Sequence, residues 1–143
     1  MNGVGVHARG RGTPYVPDTG TQLGFALLAY LLGITLIVTL IPFRFEWPGT
    51  WRFVYYVGAV DVFANILLFL PLGFLYRYAR PHAHGHPIAL AFCAGALLSS
   101  GIEALQLFEA TRNCSPVDVA ANATGAALGA AAYGRMAASS RID

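Results

Sequence analysis

Four stretches of about twenty residues, each almost uninterrupted by charge, limit what this chain can fold into more than any other feature of its sequence. A bilayer hydrocarbon core roughly 30 Å thick is crossed by about 20 apolar residues of helix, because a helix satisfies its own backbone hydrogen bonds where no water can. The first run, 21–42, contains no charged residue. The second, 58–78, centres on Asn65-Ile-Leu-Leu-Phe-Leu-Pro-Leu-Gly73, and the third is 88–108. The fourth, 117–137, is built mostly from alanine and glycine, so its hydropathy is weaker, and a reading that leaves it at the interface, with two or three spans, stands beside the four-span one. The expected fold is an all-α integral membrane bundle of four transmembrane helices over 21–137, with a polar tail at 1–20 and a short tail at 138–143.

Composition excludes the main soluble classes. Charged residues make up 11% of the chain and hydrophobic ones 56%, whereas soluble domains carry about 25% charge. The length of 143 residues supports one domain. All nine basic residues are arginines, scattered along the chain with a net charge of +2, and they form no dense stripe of the kind that holds DNA or RNA, so no nucleic-acid partner is expected.

The N-terminal tail carries Arg9 and Arg11 ahead of an apolar run too long for the core of a cleaved signal peptide, so the run reads as a retained anchor. Cytoplasmic segments hold the excess of arginine. With four spans, Arg9, Arg11, Arg77, Arg80, Arg135 and Arg141 fall on one side and Arg44, Arg52 and Arg112 on the other, which predicts that both termini are cytoplasmic. Trp47, Trp51, Tyr55 and Tyr56 suit an aromatic belt at the outer interface. Cys93 lies near the inner end of the third run and Cys114 in the outer loop after it, about 25–30 Å apart at the helical rise, which is beyond disulfide reach.

Antiparallel threading gathers the polar residues at the outer face. Arg44 follows the first span, Asp61 and Asn65 open the second, Glu103 and Gln106 close the third, and Arg112, Ser115, Asp118 and Asn122 enter the fourth. Residues three or four apart share a helix face, so Asp61 with Asn65, Glu103 with Gln106, and Asp118 with Asn122 each point one way. Small residues continue these stripes: Ala91, Gly95 and Ser99 lead to Glu103, while Asn122 leads to Gly125 and Gly129. Such stripes let membrane helices approach closely, which turns the carboxylates into the bundle and also offers faces for oligomerisation. Intramembrane charges are costly, normally pair and often mark function; Arg44 and Arg112 are the available counter-charges.

A purely structural reading competes for two of the acids. Asp61 and Asp118 sit in first helical turns, where a negative charge complements the helix dipole, and Ser115-Pro116-Val117-Asp118 has the form of a helix start. Glu103 lies at the opposite pole of its helix, unfavourable for an anion, which favours a buried ion pair or a substrate site. Pro71 predicts a kink in the second span. His82, His84 and His86 alternate in a loop where turn residues explain them without a metal. Asp61, Glu103 and Asp118 offer oxygens to a hard cation, but the arginines compete, and no metal or other cofactor is expected. Ser99 and Ser100 have no nearby histidine for a nucleophilic triad.

On these residues the sequence resembles the VanZ-like family of small integral membrane proteins. The resemblance rests on Asp61-x3-Asn65-Ile-Leu-Leu-Phe-x-Pro71-Leu-Gly73, on Ser100-x2-Glu103-x2-Gln106, and on Arg112-x2-Ser115-x2-Asp118-x3-Asn122-x2-Gly125-x3-Gly129, over roughly 27–135. It implies a multi-pass protein of the bacterial cytoplasmic membrane, in a family whose namesake confers low-level resistance to the glycopeptide teicoplanin, a drug acting on cell-wall precursors. Together with the residues it suggests an outward polar pocket for a lipid-linked envelope precursor or another anionic or amphiphilic headgroup. In that pocket Arg44 and Arg112 would grip the anion, Glu103 and Asp118 would orient them or exchange protons, and Asp61, Asn65, Gln106 and Asn122 would complete the lining. The rival expectation is a non-catalytic scaffold in which the same residues form an ion-pair network.

Overall fold

The computed structural model describes residues 18–50, 52–81, 85–109 and 111–140. Among them stand four helices, α1 (Thr19–Leu40), α2 (Ala59–Tyr78), α3 (Pro87–Gln106) and α4 (Pro116–Ser139), and no strand. Every helix end lies within two residues of its sequence-predicted position. The tail before Asp18, Trp51 of the aromatic belt, His82 and His84 of the histidine loop, and Arg141 lie outside the described residues.

Local chemistry fixes these ends. The Asp18 carboxylate accepts the Thr21 N–H at 2.8 Å and starts α1. The helix stops ahead of Pro42, which has no N–H to continue the ladder and follows a cis peptide bond. Pro71 sits inside α2, which continues through it to Tyr78. Pro87 and Pro116 occupy first-turn positions of α3 and α4, where a missing N–H costs nothing. The predicted Ser115 cap is present: its hydroxyl oxygen accepts the Asp118 N–H at 3.3 Å.

Three helices, α1, α2 and α3, are long and apolar enough to cross a membrane; α4 has the length but not the hydropathy. The packing explains the difference. α4 lies against α2 and α3 and does not touch α1, and its buried face is Ala121, Asn122, Ala123, Gly125, Ala126, Gly129 and Ala130. A side chain on Gly73 would collide with the Ala126 carbonyl, one on Gly125 with the Ile66 carbonyl, and one on Gly129 with the Leu70 carbonyl. The α2 and α4 backbones therefore touch through glycine, as small-residue faces permit. The stripes expected to serve oligomers are occupied within the chain.

Larger side chains fill the other side. Phe69, Leu72, Leu40 and Ile102 form the core, with Leu28, Leu31, Leu36, Leu68 and Leu98 packed around it. Tyr30, Val60, Phe63 and Leu97 are among many large apolar residues that point outward, the surface expected where the solvent is lipid. α1 begins beside the end of α2, Gly24 meeting Tyr78 and Ala79. There Tyr133 packs edge-on against Phe74 and Tyr78, with the Arg77 guanidinium 5.9 Å from its ring centroid.

At the other end of the bundle the connections 41–58 and 107–115 are stitched together. Isolated bridges pair Phe45 with Glu109 and Phe53 with Cys114. Glu46 N–H donates to the Phe108 carbonyl, Val54 N–H to that of Cys114, and Cys114 N–H to that of Arg52. Phe43 adopts a positive φ of 62° as the chain leaves α1, an unusual conformation for a bulky residue. This two-loop end carries the polar residues.

Candidate functional site

Seven of the eight residues expected at a site line one cavity of about 650 Å³ at the two-loop end: Asp61, Asn65, Glu103, Gln106, Arg112, Asp118 and Asn122. α1 adds Val38 and Thr39, α2 adds Leu68, and the loops add Val54, Tyr56, Thr111 and Asn113. The cavity forms because the four helices end at one depth and their polar three- and four-residue pairs face inward, as the spacing predicts. Arg44 is not in its wall. Its backbone N–H is held by Glu109 Oε1 at 3.1 Å, which anchors the start of the first connection instead.

Glu103, 5% exposed, is the most buried of the three acids in the cavity. Its Oε2 accepts the buried Ser115 N–H at 2.7 Å, and the Cys114 thiol lies beside the same carboxylate. Burial, and then the adjoining Glu103, push the Cys114 thiol up to about 11. The α3 carboxylate at the unfavourable pole of its helix thus serves the start of α4.

The amides are similarly engaged. Gln106 Nε2 donates to the Thr39 carbonyl at 2.8 Å, tying α3 to the end of α1. Asn122 Nδ2 donates to Ser99 Oγ at 2.8 Å, which leaves its buried Oδ1 without a donor. Asn65 lies beside the Asp118 carboxylate, whose Oδ1 is buried and unpartnered among the described residues, and Asp61 lies near enough for the two charges to interact. Asp61 curls back towards the start of α2, close to Gly58.

The expected counter-charges do not close into ion pairs. The Arg112 guanidinium donates to the Ile41 carbonyl at 3.3 Å, and neither it nor Arg44 makes an ion pair with Asp61, Glu103 or Asp118. The cavity holds three carboxyl groups against one guanidinium. Among the described residues no group of three or more His, Cys, Asp or Glu is arranged to hold a metal ion. Both cysteines are free.

Sequence reasoning missed Glu109 and Thr39. Glu109 is 3% exposed, with Oε1 on the Arg44 N–H and Oε2 unpartnered. It sits past the end of α3, where helical spacing carries no information. Thr39 contributes its backbone carbonyl, which no residue pattern reports.

A family model described as VanZ/LLP1 matches residues 19–137, from the first residue of α1 to the last turns of α4. No curated protein and no solved structure matches the chain. With the match covering all four helices and every residue of the cavity, the chain belongs to the VanZ/LLP1 family.

Proposed function

We propose that this protein is a four-span component of the bacterial cytoplasmic membrane, with both termini cytoplasmic, whose cavity opens outward and binds the head of an amphiphilic envelope component. The observation carrying the reading is the shared wall of the cavity: residues from all four helices converge there, and two buried acceptors in it, Asp118 Oδ1 and Asn122 Oδ1, receive no hydrogen bond from the described residues. Buried polar atoms are nearly always satisfied, so acceptors left open beside a cavity favour a ligand that donates. Arg112 is the one cationic group, suited to a phosphate or carboxylate on the same ligand. With Glu103 Oε2 committed to Ser115, Asp118 is the better-placed acid or base should the bound head react. Any link to glycopeptide resistance would run through the bound wall component.

A second reading, a scaffold without a ligand, is favoured by the internal hydrogen bonds of Glu103, Gln106 and Asn122. Mass spectrometry of the full chain purified in mild detergent separates the two. A retained amphiphile that disappears in Asp118→Asn and Arg112→Lys, with both variants accumulating normally, supports binding. Equal retention in the variants, or nothing retained by the wild type, removes it; failure of both variants to accumulate favours the scaffold.

A further inference from the structure

The paired loops enclose a second space. A cleft of about 380 Å³ lies between 46–50 with Arg52 on one side and 107–109 with Arg112 on the other, lined by Glu46, Trp47, Arg52, Phe108, Glu109 and Arg112 among others. Of these only Arg112 also borders the larger cavity. Two features suit the cleft to a charged head at the membrane boundary. Trp47, 84% exposed, meets Phe108 edge-on at 5.8 Å and gives the cleft an aromatic rim. Glu109 is almost fully buried in its wall, and among the described residues none donates a hydrogen bond to its Oε2. An unsatisfied buried carboxylate oxygen is costly, and an N–H donor entering the cleft would relieve it.

The charges balance in a particular way. Two carboxylates, Glu46 and Glu109, share the cleft with two guanidiniums, Arg52 and Arg112. A simple anion or cation meets repulsion from one pair, whereas a zwitterion meets a complement for each of its charges. Arginine takes phosphate through its forked donors. A cation beside an aromatic face and a carboxylate is stabilised by both. Because Glu109 Oε2 lacks a hydrogen-bond donor, the cationic group must carry N–H bonds, which a trimethylammonium does not. We propose that this cleft binds a zwitterionic phospholipid headgroup bearing a primary ammonium: the phosphate lies against Arg52 and Arg112, and the ammonium against Glu109 and the Trp47 rim.

The test uses the full chain in nanodiscs made with phosphatidylethanolamine, phosphatidylcholine or phosphatidylglycerol in turn, with bound lipid counted by native mass spectrometry after release into detergent. Wild type is expected to retain phosphatidylethanolamine at least tenfold over the other two, and Glu109→Gln and Arg52→Gln each to reduce that preference about tenfold. Glu109→Gln keeps an oxygen for the Arg44 N–H, and Arg52 enters the loop pairing through its backbone, so helix content by circular dichroism should stay unchanged. Arg112 is left intact because of its place in the larger cavity. Equal retention of the three lipids, stronger retention of phosphatidylglycerol, or an unchanged preference in both folded variants overturns the proposal. Equal affinity for soluble phosphoethanolamine overturns its assignment to a lipid.

Discussion

The carboxylate of Glu103 accepts the backbone N–H of Ser115 at 2.7 Å and so joins the last turn of α3 to the residue that caps α4. Removing that acceptor strands a buried donor, a loss of about 1–3 kcal/mol. Glu103→Ala should therefore destabilise the bundle by that amount in mixed-micelle denaturation followed by circular dichroism. Glu103→Gln keeps an acceptor oxygen and should lose less than about 1 kcal/mol. Equal losses in the two variants would mean that charge, not the Ser115 contact, matters.

Cys114 offers a pH-dependent reporter of the same corner. With its thiol pushed up to about 11, only about one part in a thousand is thiolate at pH 8, and alkylation should be correspondingly slow. The rate should climb roughly tenfold per pH unit until it levels near pH 11. Glu103→Gln removes the negative charge beside the thiol, so its profile should move to lower pH. A profile that does not move would show burial acting alone.

Glycine contacts predict a graded packing series. Gly73→Ala and Gly129→Ala drive a methyl group into backbone of the facing helix and should each cost about 1–3 kcal/mol, the usual range for overpacking. Gly33→Ala, Gly101→Ala and Gly134→Ala meet open space within their helices and should be neutral or gain up to about 1 kcal/mol in helix propensity. Unfolding in mixed micelles ranks the five.

Topology follows from α4. Under the four-span proposal, reporters fused ahead of α1 and after Ser140 give the same cytoplasmic signal. Opposite signals at the two ends would leave α4 on the membrane surface.

Much of this arrangement is legible in the residues alone. The helix ends follow from apolar run length together with Pro42, Pro87 and Ser115-Pro116, and the cavity wall follows from three- and four-residue polar pairs at one depth. Six of the seven cavity residues were recoverable because helix geometry converts spacing into direction; Arg112, on the connection after α3, lies outside that rule. Arg44 shows where that conversion ends: one residue beyond Phe43 the chain has left the helix, and its course depends on Glu109, sixty-five positions away. The expected ion pairs failed for a related reason. Arg112 leans on the Ile41 carbonyl, a partner set by how two connections meet, which no local pattern encodes.

The glycine face joining α4 to α2 also bears on how the protein is made. A segment of alanine and glycine gains little from lipid by itself, and its favourable surface exists only once α2 and α3 are in position. On the four-span reading, insertion of α4 becomes a folding step: the three apolar helices enter first, and the fourth follows by docking. A bulky residue at Gly129 would then alter more than the stability of the finished bundle, because part of the population would leave the insertion machinery with its C-terminus on the wrong side of the membrane.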